Sequence, residues 1–220
     1  MTPDAELGWS LVIPVKVLAQ AKSRLTGLGA ADRAELVLAM AADTVAAVTA
    51  AGAVRRVLVV TDDPDVGREA ARLGAVVLPD EPAAGLNDAL AFGARYAEER
   101  WPSRGRAGLA ADLPALRPAE LTAALAAAAG SASGSAFVPD AEGTGTTLYA
   151  AAPGTSFAPL FGVGSRARHH AAGAAELDLP GLAGLRHDVD TAADLLAAAE
   201  LGLGPRTAAL LRLITPAPKP

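Results

Sequence analysis

The residues Leu109-Ala110-Ala111-Asp112-Leu113-Pro114 run small apolar side chains into one carboxylate and then stop. A carboxylate at the carboxyl end of an inner strand of an open α/β sheet faces the crevice where such sheets take ligands. A hard cation held there can bridge phosphate groups, which makes Asp112 a candidate metal ligand. Near the far end, His187-Asp188-Val189-Asp190-Thr191 offers two more carboxylates. Side chains two apart on an extended segment point the same way, so Asp188 and Asp190 can both face one ion. A plainer reading stands beside this one. An Asp before Leu-Pro is a common turn residue, and Asp190-Thr191 with Asp194 in the first turn makes a good helix N-cap. Each segment ends a strand-like run and precedes a helix-like one, which favours the metal.

The cations sharpen the picture. Of 19 cationic side chains only Lys16, Lys22 and Lys219 are lysine, and the first two share one loop. A chain this rich in Ala, Gly, Arg and Pro tends to carry Arg wherever only charge is needed, so these lysines look selected. A compact ammonium on a flexible stem suits point contact with a polyphosphate, and Arg24 adds a fork for two oxygens; the alternative is a solvated loop. Further on, Gly143-Thr144-Gly145-Thr146-Thr147 lets the backbone approach an anion while hydroxyls donate to it. Many hairpin turns read the same, and it is neither a dinucleotide fingerprint nor a Walker loop. In Phe161-Gly162-Val163-Gly164-Ser165-Arg166, Ser165 is expected to cap a helix whose amino end, with Arg166 and Arg168, attracts a small phosphate or carboxylate. Asn87 opens another helix, which it caps or from which it faces a nucleotide. His169 and His170 are adjacent and are expected at the surface.

These residues need elements to position them. Ser10–Val15 reads as a buried first strand, followed by the loop of Lys16, Lys22 and Arg24. Asp32 with Glu35 suggests a capping pair for a helix running to about Ala51, with Gly52 left-handed after it. Arg56–Asp62 and Ala75–Leu78 read as strands flanking a short helix that ends at Leu73-Gly74. Gly85–Leu90 opens a helix that ends near Arg100. Pro118–Ala129 reads as a helix with Pro near its start, Ser135–Pro139 as a short strand, and Thr191–Leu201 and Pro205–Ile214 as the last helices. Alternation of strand and helix predicts an α/β fold with a mostly parallel sheet, helices on both faces, and an antiparallel strand over Thr146–Ala151. One domain over 1–214 is expected, followed by a disordered Pro-rich tail over 215–220.

Composition limits the function. At 51% hydrophobic, 220 residues can bury one sizeable core; no cysteine is available for a disulfide, thiol nucleophile or zinc-thiolate site. A net charge of −5 argues against a general nucleic-acid or membrane binder. The amino terminus lacks a basic segment and an apolar h-region, and no apolar run is long enough to span a bilayer, so a cytoplasmic protein is expected.

Taken in succession, Ile13-Pro14-Val15-Lys16, Ala21-Lys22-Ser23-Arg24-Leu25, Gly85-Leu86-Asn87, Ala111-Asp112-Leu113-Pro114, Gly143-Thr144-Gly145-Thr146, Phe161-Gly162 with Ser165, and Asp188-Val189-Asp190-Thr191 with Ala193-Asp194-Leu195 carry a resemblance. Over nearly its whole length the chain resembles the phosphoenolpyruvate / 2-phospho-L-lactate guanylyltransferases of deazaflavin coenzyme F-420 biosynthesis. The resemblance implies a Rossmann-like, glycosyltransferase-A-like nucleotidyltransferase fold and transfer of GMP from GTP to a three-carbon phosphorylated acid. Phosphoenolpyruvate is the acceptor that suits this composition; 2-phospho-L-lactate and 3-phosphoglycerate are the alternatives. It implies that Thr146, Gly162 and Ser165 hold the acceptor, that Asp112, Asp188 and Asp190 bind magnesium (Mg2+), and that Lys16, Lys22 and Arg24, with Asn87, meet the nucleotide. The next enzyme of the pathway, taking over an unstable product, is the candidate protein partner. Two departures stand out: Arg106–Ala110 is poor in the β-branched residues its relatives carry, and Ala111 stands where many have Gly. A molybdopterin or sugar-phosphate nucleotidyltransferase would carry a Gly-Gly loop where this chain reads Lys16-Val17-Leu18-Ala19-Gln20-Ala21-Lys22. An inactive GTP-binding relative is the non-enzymatic alternative, disfavoured by carboxylates at all three positions.

Overall fold

The structure, a computed structural model, describes residues 8–18, 25, 29–81 and 83–214. Lys22, Arg24 and the 215–220 segment lie outside them. The described strands are β1 (Trp9–Pro14), β2 (Val54–Val60), β3 (Val76–Leu78), β4 (Gly105–Leu109), β5 (Ser135–Pro139), β6 (Thr146–Ala151) and β7 (Ala175–Glu176). The helices are α1 (Ala30–Ala50), α2 (Pro64–Arg72), α3 (Leu86–Arg100), α4 (Pro118–Ala129), α5 (Ser165–Ala171), α6 (Ala183–Arg186), α7 (Ala192–Leu201) and α8 (Pro205–Ile214). The strands form one sheet in the order β3-β2-β1-β4-β6-β5-β7. β1 pairs parallel with β2 and β4, while β6 runs antiparallel between β4 and β5, as its sequence suggested.

Alternation along β1 builds two core layers. Leu11 and Ile13 join Val45 of α1 and Leu121 of α4 on one face. Val12 joins Leu58, Val60 and Leu90 of α3 on the other. Helices therefore cover both faces, and each fully buried aliphatic side chain contributes roughly 1.5–3 kcal/mol by leaving water.

The weak strand propensity of β4 has a packing explanation. A Cβ at Gly105 would lie 2.5 Å from the Trp9 ring, and one at Gly108 would lie 2.7 Å from Leu90. Both glycines let large side chains lie directly on a central strand, so close approach replaces β-branching here. Arg106 is buried in the same strand, but its guanidinium pairs with Glu98 at 2.6 Å and donates to the Thr155 carbonyl at 2.6 Å. The strand thus carries a charge inside with partners for both terminal nitrogens, while the buried Nε makes no hydrogen bond.

Helix ends differ from expectation in two places. Gly29, not an Asp32–Glu35 pair, occupies the cap of α1, and that helix ends on extended Ala51 without a left-handed Gly52. β7 and α6 were not anticipated, being two and four residues long and too short to show a period. At the carboxyl end, buried Asp43 of α1 accepts from the Arg206 and Thr207 N–H groups at 3.2 and 2.8 Å, which caps α8 and seats it on α1.

Candidate active site

Sheet order reverses between β1 and β4, and such a switch point opens a crevice at the strands' carboxyl ends. Val12 pairs with Gly108 across that junction, so Lys16 and Asp112, each four residues further on, leave neighbouring strands at one level. Lys16 is exposed there. Thr146 starts β6 at the same edge, because the antiparallel pairing sets Leu148 against Leu109. One edge of the sheet therefore collects residues from the exits of parallel strands and the entrance of the reversed one.

Asp112 is held from three sides. Ala110 N–H donates to the Thr147 carbonyl at 2.9 Å, and Leu113 N–H donates to Thr44 Oγ1 of α1 at 3.1 Å. Val189 N–H donates to the Asp112 carbonyl at 3.0 Å, which brings the two acidic segments together across the chain. Fully buried Val189 sets Asp188 and Asp190 on the partly exposed positions either side of it.

The electrostatics fit a cation. The Asp188 carboxyl is pushed up to about 7, chiefly by burial and then by the Asp112 charge; a backbone hydrogen bond opposes this, and Asp140 and Asp190 add smaller repulsions. Carboxylates that repel one another in a partly desolvated site gain most from a divalent ion. Among the described residues no three His, Cys, Asp or Glu side chains form a ready metal-holding group. The expected trio is therefore not preassembled: Asp112 and Asp188 couple most strongly, and Asp140 acts on Asp188 ahead of Asp190. Thr191 caps α7 through Asp194 N–H at 3.3 Å, while Asp194 Oδ2 accepts from the Asp190 and Thr191 N–H groups. The capping reading of this segment thus holds.

Asp140 had not been singled out. Its carboxylate accepts from Thr144 N–H at 2.9 Å and Gly145 N–H at 2.7 Å, closing the turn that leads into Thr146. Arg186 of α6 ties in the same turn, donating to the Asp140 carbonyl and accepting from Ala141 N–H at 2.7 Å. An Asp followed by Gly-Thr-Gly three residues on was the available sign, because such side chains bind backbone N–H groups in turns.

The segments of Thr146, Gly162 and Ser165 do come together, with four corrections. Ser165 is the first residue of α5 rather than its cap; Gly164 takes that place, and the buried Ser165 Oγ makes no hydrogen bond. Arg166 does not wait for an anion, since it is paired with Glu176 at 2.8 Å and donates to the Gly143 carbonyl at 3.0 Å, while Arg168 donates to the Phe161 carbonyl at 3.0 Å. Asn87 neither caps α3 nor leaves its amide for a nucleotide: Nδ2 donates to the Phe161 carbonyl at 3.1 Å and Oδ1 accepts from Phe161 N–H at 2.8 Å. His169, expected at the surface, is fully buried, although His170 is exposed and bonds Glu176 at 2.5 Å. Adjacent helical residues point apart, and the sheet claims one of the two.

The His169 ring stacks on Tyr149 with centroids 4.8 Å apart and on Phe137 at 5.3 Å. Its Nε2 meets Leu160 N–H at 3.0 Å and its Nδ1 meets Thr146 Oγ1 at 3.0 Å. Burial and then the Arg168 charge hold the ring down at about 4, against an opposing bond to the Ser165 carbonyl.

Comparison with known proteins settles the family. The sequence pattern of the MobA-like NTP transferase domain matches residues 39–197. A phosphoenolpyruvate guanylyltransferase from Thermomonospora curvata is 60% identical over 207 residues, covering 94% of this chain and 90% of its own. The chain belongs to the phosphoenolpyruvate guanylyltransferase family. A second member, from Streptomyces avermitilis, is 56% identical over 213 residues and covers 96% and 98% of the two chains. In three dimensions the fold is similar to a protein from Desulfovibrio desulfuricans provisionally assigned as a nucleotide-diphospho-sugar transferase, with a TM-score of 0.69 at 16% identity over 93% of this chain and 94% of that one. The expected nucleotidyltransferase fold and enzyme class therefore stand. Asp112, Asp188, Thr146, Gly162 and Ser165 lie on elements that meet at the sheet edge, Lys16 among them, while Lys22 and Arg24 fall outside the described residues.

Proposed function

We propose that this enzyme transfers GMP from GTP to phosphoenolpyruvate, giving enolpyruvoyl-2-diphospho-5'-guanosine and pyrophosphate in coenzyme F-420 biosynthesis. The observation that carries the reading is the Val189–Asp112 backbone bond, which sets the mid-chain and late acidic segments side by side at the switch point. A phosphate oxygen of the acceptor attacks the α-phosphorus of GTP, a new P–O bond forms, and the bond to pyrophosphate breaks. That oxygen is already ionised at neutral pH, so no general base is needed; the chain's task is to bring two anions together. Thr146, Gly162 and Ser165 orient the acceptor, while Lys16, with Lys22 and Arg24, meets the triphosphate. Asp112 and Asp188, joined by Asp190, would hold Mg2+. When bound, that ion supplies charge stabilisation on the phosphates of donor and leaving group.

Pyrophosphate release from GTP should depend on added phosphoenolpyruvate, with 2-phospho-L-lactate and 3-phosphoglycerate run in parallel as competing acceptors. Asp112→Asn should lower turnover by at least about a hundredfold, with the circular dichroism spectrum and melting temperature preserved. Wild-type turnover in that variant would remove Asp112 from the mechanism, and release only with another acceptor would reassign the substrate.

A further inference from the structure

We propose that His169 is a positioning residue for the acceptor, a buried neutral ring whose Nδ1–H leaves the Thr146 hydroxyl hydrogen free to donate to the acceptor's negative charge. The inference rests on the acceptor reading of Thr146, Gly162 and Ser165 given above. Leu160 N–H is an obligate donor, so the Nε2 it meets at 3.0 Å carries a lone pair. A neutral ring then has its only N–H at Nδ1, the atom that faces Thr146 Oγ1 at 3.0 Å. Thr146 cannot donate to a nitrogen that already bears a proton, so its hydrogen is available elsewhere. The backbone hydrogen bond that the ring gives Ser165 also calls for a ring N–H, and Nε2 already serves as an acceptor. One ring thereby joins three segments: the start of β6, the loop before Gly162, and the first turn of α5. Asn87 and Arg168 hold the same loop through Phe161, and stacking on Tyr149 and Phe137 keeps the imidazole from turning. The reversed tautomer would leave Leu160 N–H unanswered in a buried site and would draw the Thr146 hydrogen inward.

The first test is long-range 1H–15N NMR of the imidazoles in the intact wild-type protein. The expected spectrum has His169 in the Nδ1–H form throughout pH 6–8; an Nε2–H form or a charged ring in that range overturns the proposal. The second test is steady-state kinetics of His169→Phe, which keeps an aromatic ring between Tyr149 and Phe137 but removes both polar contacts. KM for phosphoenolpyruvate should rise about tenfold with KM for GTP unchanged, and the double variant with Thr146→Val should be no worse than Thr146→Val alone. Equal rises in both KM values, or additive losses in the double variant, reject the positioning role. If Thr146→Val itself leaves the phosphoenolpyruvate KM unchanged, the acceptor reading fails. If Thr146→Val raises it and His169→Phe does not, only the present inference fails.

Discussion

At Gly145 an added methyl group would run into the Asp140 carboxylate that accepts the residue's own N–H, so only glycine lets that turn close against Asp140. Gly145→Ala should therefore open the turn leading into Thr146 and cost about 1–3 kcal/mol of stability, read as a lower urea midpoint. The same variant should raise KM for phosphoenolpyruvate more than KM for GTP. At this scale residue type and neighbouring turn signals sufficed to bring Asp112, Asp188, Thr146 and Lys16 forward as candidates, and the structure has them on segments that meet at one sheet edge. The sequence did not carry His169, because adjacency says that two helical histidines diverge without saying which one meets the sheet. The cue that existed was the four-residue step from Ser165 to His169, which places both on one helix face. The capping and nucleotide-facing readings of Asn87 both miss its partner because nothing local shows a backbone 74 residues away arriving to take both of its amide atoms.

Elements were legible where a local rule governed them. Pro118–Ala129, Ser135–Pro139, Thr146–Ala151 and Pro205–Ile214 occupy the spans that turn residues and periodicity mark out. β4 obeys a rule that only the folded molecule displays: its glycines make room for Trp9 and Leu90, so propensity underrates it. The C-terminal helix depends on a similar long-range device. Asp43→Ala should remove both N-terminal acceptors of α8 and lower stability by about 1–2 kcal/mol, while α8 amides exchange hydrogen faster than those of α1. Unchanged α8 protection in that variant would mean that packing of Leu210 and Leu211 on the apolar cluster that includes Leu36 and Met40 secures the helix without the cap.

For the whole molecule, the buried His169 contributes one term of definite sign to the pH dependence of stability. Its pKa is about 4 folded and close to 6.5 unfolded, so between these values the unfolded chain binds the extra proton. The contribution is fully present above about 6.5 and is lost as pH falls toward 4, amounting to about 3 kcal/mol at most. Asp188, raised in the folded state, acts in the opposite direction over the same range, so the ring is read from a difference: between pH 7.5 and pH 5 the change in urea stability should be less favourable in the wild type than in His169→Phe, and equal changes would place the ring outside the linkage.

The reversal of β6 carries a further consequence for how such an enzyme changes over time. Contacts proposed for the incoming acid come from where one strand begins and from the segment after it, whereas those proposed for the nucleotide come from where other strands finish. The two sets hang on different loops. A lineage can therefore exchange one small acid for another by editing residues 140–165, with the nucleotide grip left as it was.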